Sequence, residues 1–349
     1  RVQGIQLVSP PSRHQSVAIL AQAYCPFLWT GGAALDLRPL LMPSVPKRSR
    51  SPIRGEQRLP VQGSDARSLA GVHFGTNYSS LAAALEAGGV DGLLVVTDFD
   101  QTLTKFRGCD GAPGLQCHEV LLRNADLDRC PGLRDRMAPL IEWHDMAEEQ
   151  RMDLCNGDQT ARAAKARWFS DTFAEAGCEF HLVEQVQDCV ARSNTQIREG
   201  LLETFSWLDT HGVPLVIVSA GLSQVAEAIL DSSHVGLPAN TRLVANDLSE
   251  SQARVTSRSK SRALSLVPDF ATLSEGRLQV LLLGDKPSDC AVAMGLPAGS
   301  NVLKVGFMEP SVPSPQALDS HLQHFDVVLT GDATMNFVSQ FLCSISNQK

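Results

Sequence analysis

The sequence predicts an α/β protein: a doubly wound Rossmann-like parallel sheet with an inserted helical cap domain. Three apolar runs, each typical of a strand buried on both faces, are separated by helix-like segments. Each run ends in acidic or small polar residues. Between the first two runs the chain becomes helical and polar, which indicates an insertion at the carboxyl end of a strand.

The first run, 93–97, leads directly into Asp98-Phe99-Asp100 and Thr102. In an α/β sheet, ligands bind at the carboxyl ends of the strands, and folding itself requires no acids there. Two neighbouring carboxylates can divide the roles of nucleophile and proton donor, and they can hold a hard divalent cation. The alternative is that both aspartates only cap a following turn.

The second run, 214–218, ends in Ser219-Ala220-Gly221 before a helix pattern at 224–230. A serine hydroxyl and free backbone N–H groups at a strand-to-helix turn form an anion site, because a helix N-terminus carries unsatisfied donors. The alternative role of Ser219 is that of a helix N-cap. This turn predicts a phosphate-binding loop.

The third run, 278–283, ends in Gly284-Asp285, and Asp289 follows. Lys260 precedes it in a basic stretch, 258–262, that leads into an apolar helix pattern. A lysine supplies a point charge for a phosphate oxygen, and Asp285 adds an oxygen ligand for Mg²⁺. Taken singly, Lys260 can be a solvated charge and Asp285 a turn residue. Four signals in this order favour a phosphoryl-transfer site.

At these residues the chain resembles the haloacid-dehalogenase-like superfamily, and within it the type III cytosolic (pyrimidine) 5′-nucleotidase family. The resemblance covers about the last four-fifths of the chain, unevenly. It is carried by five short stretches: Thr97-Asp98-Phe99-Asp100-Gln101-Thr102-Leu103-Thr104-Lys105-Phe106, Cys117-His118, Arg198-Glu199-Gly200, Val218-Ser219-Ala220-Gly221 and Leu282-Leu283-Gly284-Asp285 with Asp289.

The resemblance implies a mechanism and a ligand set. Asp98 would attack the phosphorus of a nucleoside monophosphate, and Asp100 would protonate the leaving oxygen and then activate water. Mg²⁺ would be held by the Asp98 carboxylate, the Asp100 carbonyl oxygen and Asp285, with Asp289 acting through these ligands. The phosphate oxygens would be bound by a set of small residues and one lysine: Thr102, Ser219, Ala220, Gly221 and Lys260.

The stretch 108–197 is expected to be a cap that closes over the site, between core segments 71–107 and 198–349. The resemblance implies that a glutamate, Glu148 with Glu142 as competitor, binds the base, which would favour cytosine or a modified guanine. Trp168 and Thr172 match further base-binding positions. The alternative role of Trp168 is helix core.

Two features depart from this pattern, and one of them is that the segment around Lys260 is offset by about one residue against the Asn-Lys of the family. Lys286, Pro287 and Ser288 stand where the family has Ser and Gly within Gly-Asp-Ser-x-Gly-Asp. The added charge of Lys286 would weaken Mg²⁺ binding or add a phosphate contact. A zinc site is the other possibility considered, from Cys109, Cys117, His118 and Cys130, but their spacing lacks a Cys-x-x-Cys pair.

The net charge of the N-terminal residues 1–70, the tail, has the opposite sign from that of the rest of the chain. Residues 1–70 contain nine Lys and Arg against three acids, a net charge of +6, whereas the whole chain carries −8 and the remainder therefore −14. This Pro- and Ser-rich tail is expected to be disordered, and it resembles an organelle transit segment. The alternatives are a linker or a mistaken gene start. A cytoplasmic location is expected, or an organelle if the tail is a transit segment.

The nine scattered cysteines fit a reducing interior better than a disulfide framework. We expect no nucleic-acid partner, because the basic tail lacks interleaved aromatics, and no membrane span, because Pro26, Gly31 and Asp36 interrupt the apolar stretch 17–40. The oligomeric state stays open, with a monomer plausible. Two alternatives to a nucleotidase remain: another phosphomonoesterase of the same superfamily, and a non-catalytic binding protein.

Overall fold

The computed structural model describes residues 71–146, 148–256, 258–309 and 312–346. The predicted disorder and targeting role of the tail, 1–70, lie outside the described residues. Within the described ranges the chain forms one seven-stranded sheet with helices on both faces. No helix in these ranges is long and apolar enough to cross a membrane.

The sheet has the strand order β1-β7-β6-β5-β2-β3-β4. All neighbouring pairs are parallel except β1 and β7, which are antiparallel. The central strand β2 lies between β3 and β5: the next two strands along the chain, β3 and β4, lie on one side of β2, and β5, β6 and β7 lie on the other. This reversal of the strand order places the ligand crevice at the carboxyl end of β2. The strands are β1 Val72–Phe74, β2 Leu93–Thr97, β3 Leu215–Leu222, β4 Thr241–Asn246, β5 Gln279–Gly284, β6 Asn301–Met308 and β7 Val327–Thr330.

Of the α-helices in the described ranges, six lie between β2 and β3, and five of these lie within 108–197, the segment expected to be the cap. The helices are α1 Tyr78–Gly88, α2 Cys117–Asn124, α3 Leu133–Asp145, α4 Glu148–Leu154, α5 Gln159–Glu179, α6 Val186–Arg192, α7 Leu201–Thr210, α8 Ser223–Ser232, α9 Phe270–Leu273, α10 Pro315–Leu322 and α11 Asn336–Ser346. Short 3₁₀ helices span Leu182–Gln185, Lys260–Leu266 and Pro287–Gly295.

Side chains alternate between the two faces of the central strands, so each strand contributes to two cores. Leu93 and Val95 pack into the large core beneath α1, α2, α7, α8 and α11. Leu94 and Val96 pack into a second core with residues of the segment 255–267. Every residue of β2 is therefore buried, which explains its unbroken apolar sequence.

The predicted strands are all present, with shifted ends. The second strand extends to Leu222, and the apolar sequence 325–329, which also predicts a strand, forms Val327–Thr330. The strands β1, β4 and β6 were not predicted; the burial of β4 is mixed, so its residues give no continuous apolar run. The helix expected after Lys260 is a 3₁₀ helix, and the sequence 333–342, which predicts a helix, belongs to the helix Asn336–Ser346.

Candidate active site

Three acids of the predicted motifs lie together at the carboxyl end of the sheet. Thr97, which ends β2, pairs with Leu283 of β5, so Asp98 and Asp285 begin adjacent loops. One carboxylate oxygen from each of Asp98, Asp285 and Asp289 lies within 4.8 Å of the others. Among the described residues, this is the one group of three or more His, Cys, Asp or Glu side chains placed to share a metal ion. The cysteines and histidine considered for zinc do not form such a group.

Lys260 lies between two of these acids. Its Nζ is 2.5 Å from Asp98 Oδ1 and 2.7 Å from Asp289 Oδ1, and its side chain is only 5% exposed. Burial lowers the pKa of Lys260, but the two facing carboxylates outweigh burial and raise it. Burial also raises the pKa of Asp98, and Lys260 opposes that rise. The lysine therefore compensates negative charge that would otherwise be buried alone.

The remaining carboxylate oxygens of this group differ in how they are bonded. Asp289 Oδ2 accepts the backbone N–H groups of Asp285 at 2.9 Å and Lys286 at 2.8 Å. Asp285 Oδ1 is buried without a hydrogen-bond partner. Burial raises the pKa of Asp285 to about 6, although Lys286 opposes the rise. A buried and unpartnered carboxylate oxygen beside a second acid fits a hard divalent cation. Asp289, with both oxygens bonded, fits a role in positioning.

Asp100 has a different environment from Asp98. Its Oδ1 accepts the backbone N–H of Cys117, at the start of α2, at 2.8 Å. Burial raises the pKa of Asp100, and the hydrogen bond from Cys117 only partly opposes this. A carboxyl group whose neutral form is favoured is suited to donate a proton. The two aspartates of the first motif are thus placed in environments that can separate their roles.

The predicted phosphate-binding residues are found in two layers. Ala220, Gly221 and Lys260 line the main cavity. Ser219 and Thr102 are fully buried behind it, where Ser219 Oγ accepts the Gly221 N–H at 2.9 Å. The hydroxyl of Thr102 is buried without a hydrogen-bond partner. The contacts of these two hydroxyl groups with phosphate stay predictions.

The cavity above the acids has a volume of about 730 Å³, which is in the range of small-molecule sites. Asp98, Asp100, Asp285 and Asp289 all line it. The helices between β2 and β3 supply an opposite wall of aromatic and imidazole rings. These rings belong to His118, Trp143, His144 and Phe169. Cationic side chains complete the lining: Arg151, Arg162, Arg167, Arg258 and Lys286.

The residues predicted to bind the base are placed differently from this wall. Neither Trp168 nor Thr172 lines the cavity. Trp168 is partly buried against the large core and lies edge-on to Trp143, with 6.5 Å between the ring centroids, as the helix-core interpretation expects. Glu142 is exposed on α3. The side chain of Glu148 lies outside what the structure describes, so its predicted contact with the base stays a prediction.

A chain of hydrogen bonds supports the imidazole wall. Glu119 Oε1 lies 2.7 Å from His144 Nε2, and His144 Nδ1 lies 3.3 Å from His118 Nε2. Burial and the neighbouring His144 lower the pKa of His118 to about 3, so this ring is neutral at physiological pH. In the sequence His118 was notable only as part of the family resemblance and of the zinc site considered. Its place beside His144 depends on how α2 and α3 pack, which no local pattern reveals.

Arg198 is a second residue whose role the sequence did not reveal. It is fully buried, and it donates to the carbonyl oxygens of Gln101 at 2.6 Å and Thr102 at 2.8 Å. It also contacts Asp332 Oδ1 at 3.0 Å and the Ala333 carbonyl oxygen at 2.7 Å. Burial lowers the pKa of Arg198 to about 10, with Asp332 opposing, so the guanidinium remains charged at neutral pH. Arg198 therefore holds in place the loop that carries both catalytic candidates, Asp98 and Asp100.

The doubly wound sheet, the inserted helices and the acid cluster have the arrangement that the resemblance to haloacid-dehalogenase-like phosphatases implies. The family model described as pyrimidine 5′-nucleotidase (UMPH-1) matches residues 101–346, which is more than half of the chain and begins directly after Asp100. The chain belongs to this family. It is therefore a 5′-nucleotidase, an enzyme that hydrolyses nucleoside monophosphates.

Individual relatives agree with this assignment. The chain is 27% identical over 278 residues to the 7-methylguanosine phosphate-specific 5′-nucleotidase of Homo sapiens, which covers 75% of this chain and 87% of that protein. It is 26% identical over 268 residues to the enzyme of the same name from Gallus gallus, covering 74% and 90%. The solved structure of cytosolic 5′-nucleotidase IIIB bound to cytidine shares the fold, with a TM-score of 0.66, 20% identity and coverage of 83% and 98%.

Proposed function

We propose that this 5′-nucleotidase is Mg²⁺-dependent and acts through an aspartyl-phosphate on Asp98. The observation that carries the proposal is the meeting of three buried acids, Asp98, Asp285 and Asp289, with Lys260 at the floor of one cavity. Lys260 and a bound divalent cation would offset the negative charge of these acids, so that a phosphate dianion can approach and the Asp98 carboxylate can attack phosphorus.

The chemistry follows from the two aspartates of the first loop. A carboxylate oxygen of Asp98 forms a bond to phosphorus while the bond from phosphorus to the sugar O5′ breaks, and Asp100 gives its proton to that leaving oxygen. Asp100, now ionised, then takes a proton from water as the water oxygen attacks the acyl phosphate. Release of inorganic phosphate restores both carboxyl groups.

Asp98 and Asp285 would hold the divalent cation, and the resemblance adds the carbonyl oxygen of Asp100. When bound, Mg²⁺ stabilises the negative charge of the phosphoryl group in transfer. Asp289 supports the site without being a ligand, since its oxygens are bonded to Lys260 and to the backbone. The support for this assignment is the unpartnered Asp285 Oδ1.

We propose further that the segment 108–197 is the cap and that its ring-lined wall receives the base. Trp143, Phe169 and the neutral His118 line the cavity opposite the acids, and flat rings of this kind stack on bases. The relatives named for 7-methylguanosine phosphate and the cytidine-bound neighbour support a pyrimidine or 7-methylguanine base. The name of one of them, cytosolic 5′-nucleotidase IIIB, supports a cytoplasmic location for this enzyme.

The test is a panel of phosphomonoesters assayed with and without Mg²⁺. CMP, UMP, 7-methyl-GMP, GMP and AMP are compared with phosphoserine and glucose 6-phosphate. We expect Mg²⁺-dependent turnover of CMP, UMP or 7-methyl-GMP and little turnover of the small phosphates. Asp98→Asn should lower kcat by about a thousandfold or more, since the nucleophile is lost.

The matched control is Asp91→Asn, which changes an exposed aspartate just before β2, at the opposite end of that strand from Asp98. Its kcat should equal that of the wild type. Equal turnover of small phosphates would contradict the nucleotide specificity and favour a general phosphomonoesterase. A complete lack of turnover with all substrates would favour a non-catalytic binding protein.

A further inference from the structure

The two lysines of the acid cluster have different freedom. Lys260 is enclosed, with both Asp98 and Asp289 within 2.7 Å of its ammonium. Lys286 has a side chain that is 50% exposed, and its Nζ lies 3.3 Å from Asp285 Oδ2. A half-exposed ammonium held by one longer contact can change partners at little cost, whereas an enclosed one cannot. Lys260 therefore belongs to the fixed frame of the site, and Lys286 does not.

The backbone of Lys286 is nevertheless fixed in place. Its N–H donates to Asp289 Oδ2 at 2.8 Å, and Pro287 follows it. A residue before proline is restricted to extended conformations, and Lys286 has φ −123° and ψ 149°. Only its side-chain torsions remain free. Since Lys286 lines the same cavity as Asp100 and Gly221, these torsions move the ammonium within the space where substrate enters.

The two carboxylate oxygens of Asp285 are placed for two different cations, the Lys286 ammonium and a divalent metal ion. Oδ2 contacts the Lys286 ammonium, and Oδ1 is buried without a partner. A divalent ion on Oδ1 would repel the nearby ammonium and weaken its hold on Oδ2. The nearest new anion in the cavity would be the phosphate group of the substrate, for which a mobile lysine is a suitable donor.

We propose that Lys286 is a phosphate-binding residue that shares Asp285 with the metal ion and transfers its contact to a phosphate oxygen of the nucleotide. This inference rests on the proposed function, because it takes the acid cluster to be the phosphoryl-transfer site. It assigns a phosphate-binding role to the position at which this chain departs from the motif of its family.

The experiment measures binding rather than turnover, with inorganic phosphate and Mg²⁺ as probes in isothermal titration calorimetry. Lys286→Met should raise the Kd of inorganic phosphate, measured at saturating Mg²⁺, by about tenfold or more, which is the value of one charged hydrogen bond. Lys286→Arg keeps the charge, so its Kd for inorganic phosphate should stay within about threefold of the wild-type value. Without phosphate, Lys286→Met should bind Mg²⁺ more tightly than the wild type, because the competing ammonium is gone.

The control is Lys304→Met, which removes the same charge from β6, outside the cavity lining. It should leave both Kd values unchanged, and thermal unfolding checks that every variant is folded. If Lys286→Met binds phosphate as tightly as Lys304→Met, the phosphate contact is wrong, and an unchanged Mg²⁺ affinity would overturn the sharing of Asp285. A wild-type protein that binds neither probe and hydrolyses no nucleotide would instead overturn the proposed function itself.

Discussion

Gly221 is placed where no side chain fits. A Cβ atom at this position would lie 2.8 Å from Asp100 Oδ2, 2.8 Å from the Cβ of Cys117 and 3.0 Å from Ser219 Oγ. Distances under 3.0 Å are not found for real Cβ atoms, so one of these groups would have to move. The register of β3 also shifts between Val218 and Leu222, which takes this turn out of the regular ladder. At the residue scale, the close approach of the Gly221 backbone thus sets the position of Asp100, the proposed proton donor.

We therefore expect Gly221→Ala to lower kcat on the order of a hundredfold, since a displacement of about 1 Å at a catalytic group can cost that much. Steady-state kinetics with the preferred nucleotide measures it, and a urea denaturation curve reports the accompanying loss of stability. Gly88→Ala is the control, because the three atoms nearest to its added methyl group belong to the side chain of Gln279, which has to move, and Gln279 lies at the other end of the sheet from Gly221. A Gly221→Ala enzyme with the wild-type kcat would contradict the assigned role of the turn.

At the element scale, the loop after β2 depends on Arg198. Gln101 in that loop has φ 63°, a left-handed conformation that is unfavourable for a residue with a side chain. The Arg198 guanidinium donates hydrogen bonds to the carbonyl oxygens of Gln101 and Thr102. It also forms a salt bridge with Asp332, which follows β7. The loops after β2 and β7, which are separated in the sheet by β5 and β6, are therefore joined through one buried cation.

Removal of that cation should destabilise the whole fold. Arg198→Met leaves Asp332 without its charge partner and buried carbonyl oxygens without donors, so the free energy of unfolding should fall by about 3–5 kcal/mol. Urea denaturation measures the change. The control is Arg107→Met, which removes an exposed partner of Glu309. It should lower the free energy of unfolding by no more than about 1 kcal/mol. A loss in Arg198→Met as small as in Arg107→Met would show that the buried contacts contribute little.

At the scale of the whole molecule, the sequence predicts the floor of the site better than its wall. The floor follows from strands that are buried on both faces, because an acid such as Asp98 at the end of such a strand must lie at one edge of the sheet. The order of the motifs along the chain then brings Asp285 beside it. These inferences need only local patterns and the rules of parallel sheets.

The wall depends on packing between helices, for which the sequence has no local signal. The rotation of α3 and α5 decides whether Trp143 or Trp168 faces the cavity. The resemblance matched Trp168 to a base-binding position, with helix core as the alternative, and in the structure Trp143 lines the cavity while Trp168 packs against the core. The phosphate contact expected of Lys260 stays a prediction; in the structure its ammonium is bonded to Asp98 and Asp289, an arrangement that no local pattern indicates. Such tertiary choices emerge only when separate elements are placed together.

The central claim is that Asp98 forms a covalent bond to phosphorus. The most direct measurement is acid quenching of the enzyme during turnover of its preferred nucleoside monophosphate with Mg²⁺, followed by mass spectrometry of the peptide that contains Asp98. We predict that this peptide gains the mass of one phosphoryl group on Asp98 and that the gain is absent in Asp98→Asn. Active turnover with no phosphorylated peptide, or with the phosphoryl group on another residue, would contradict the account.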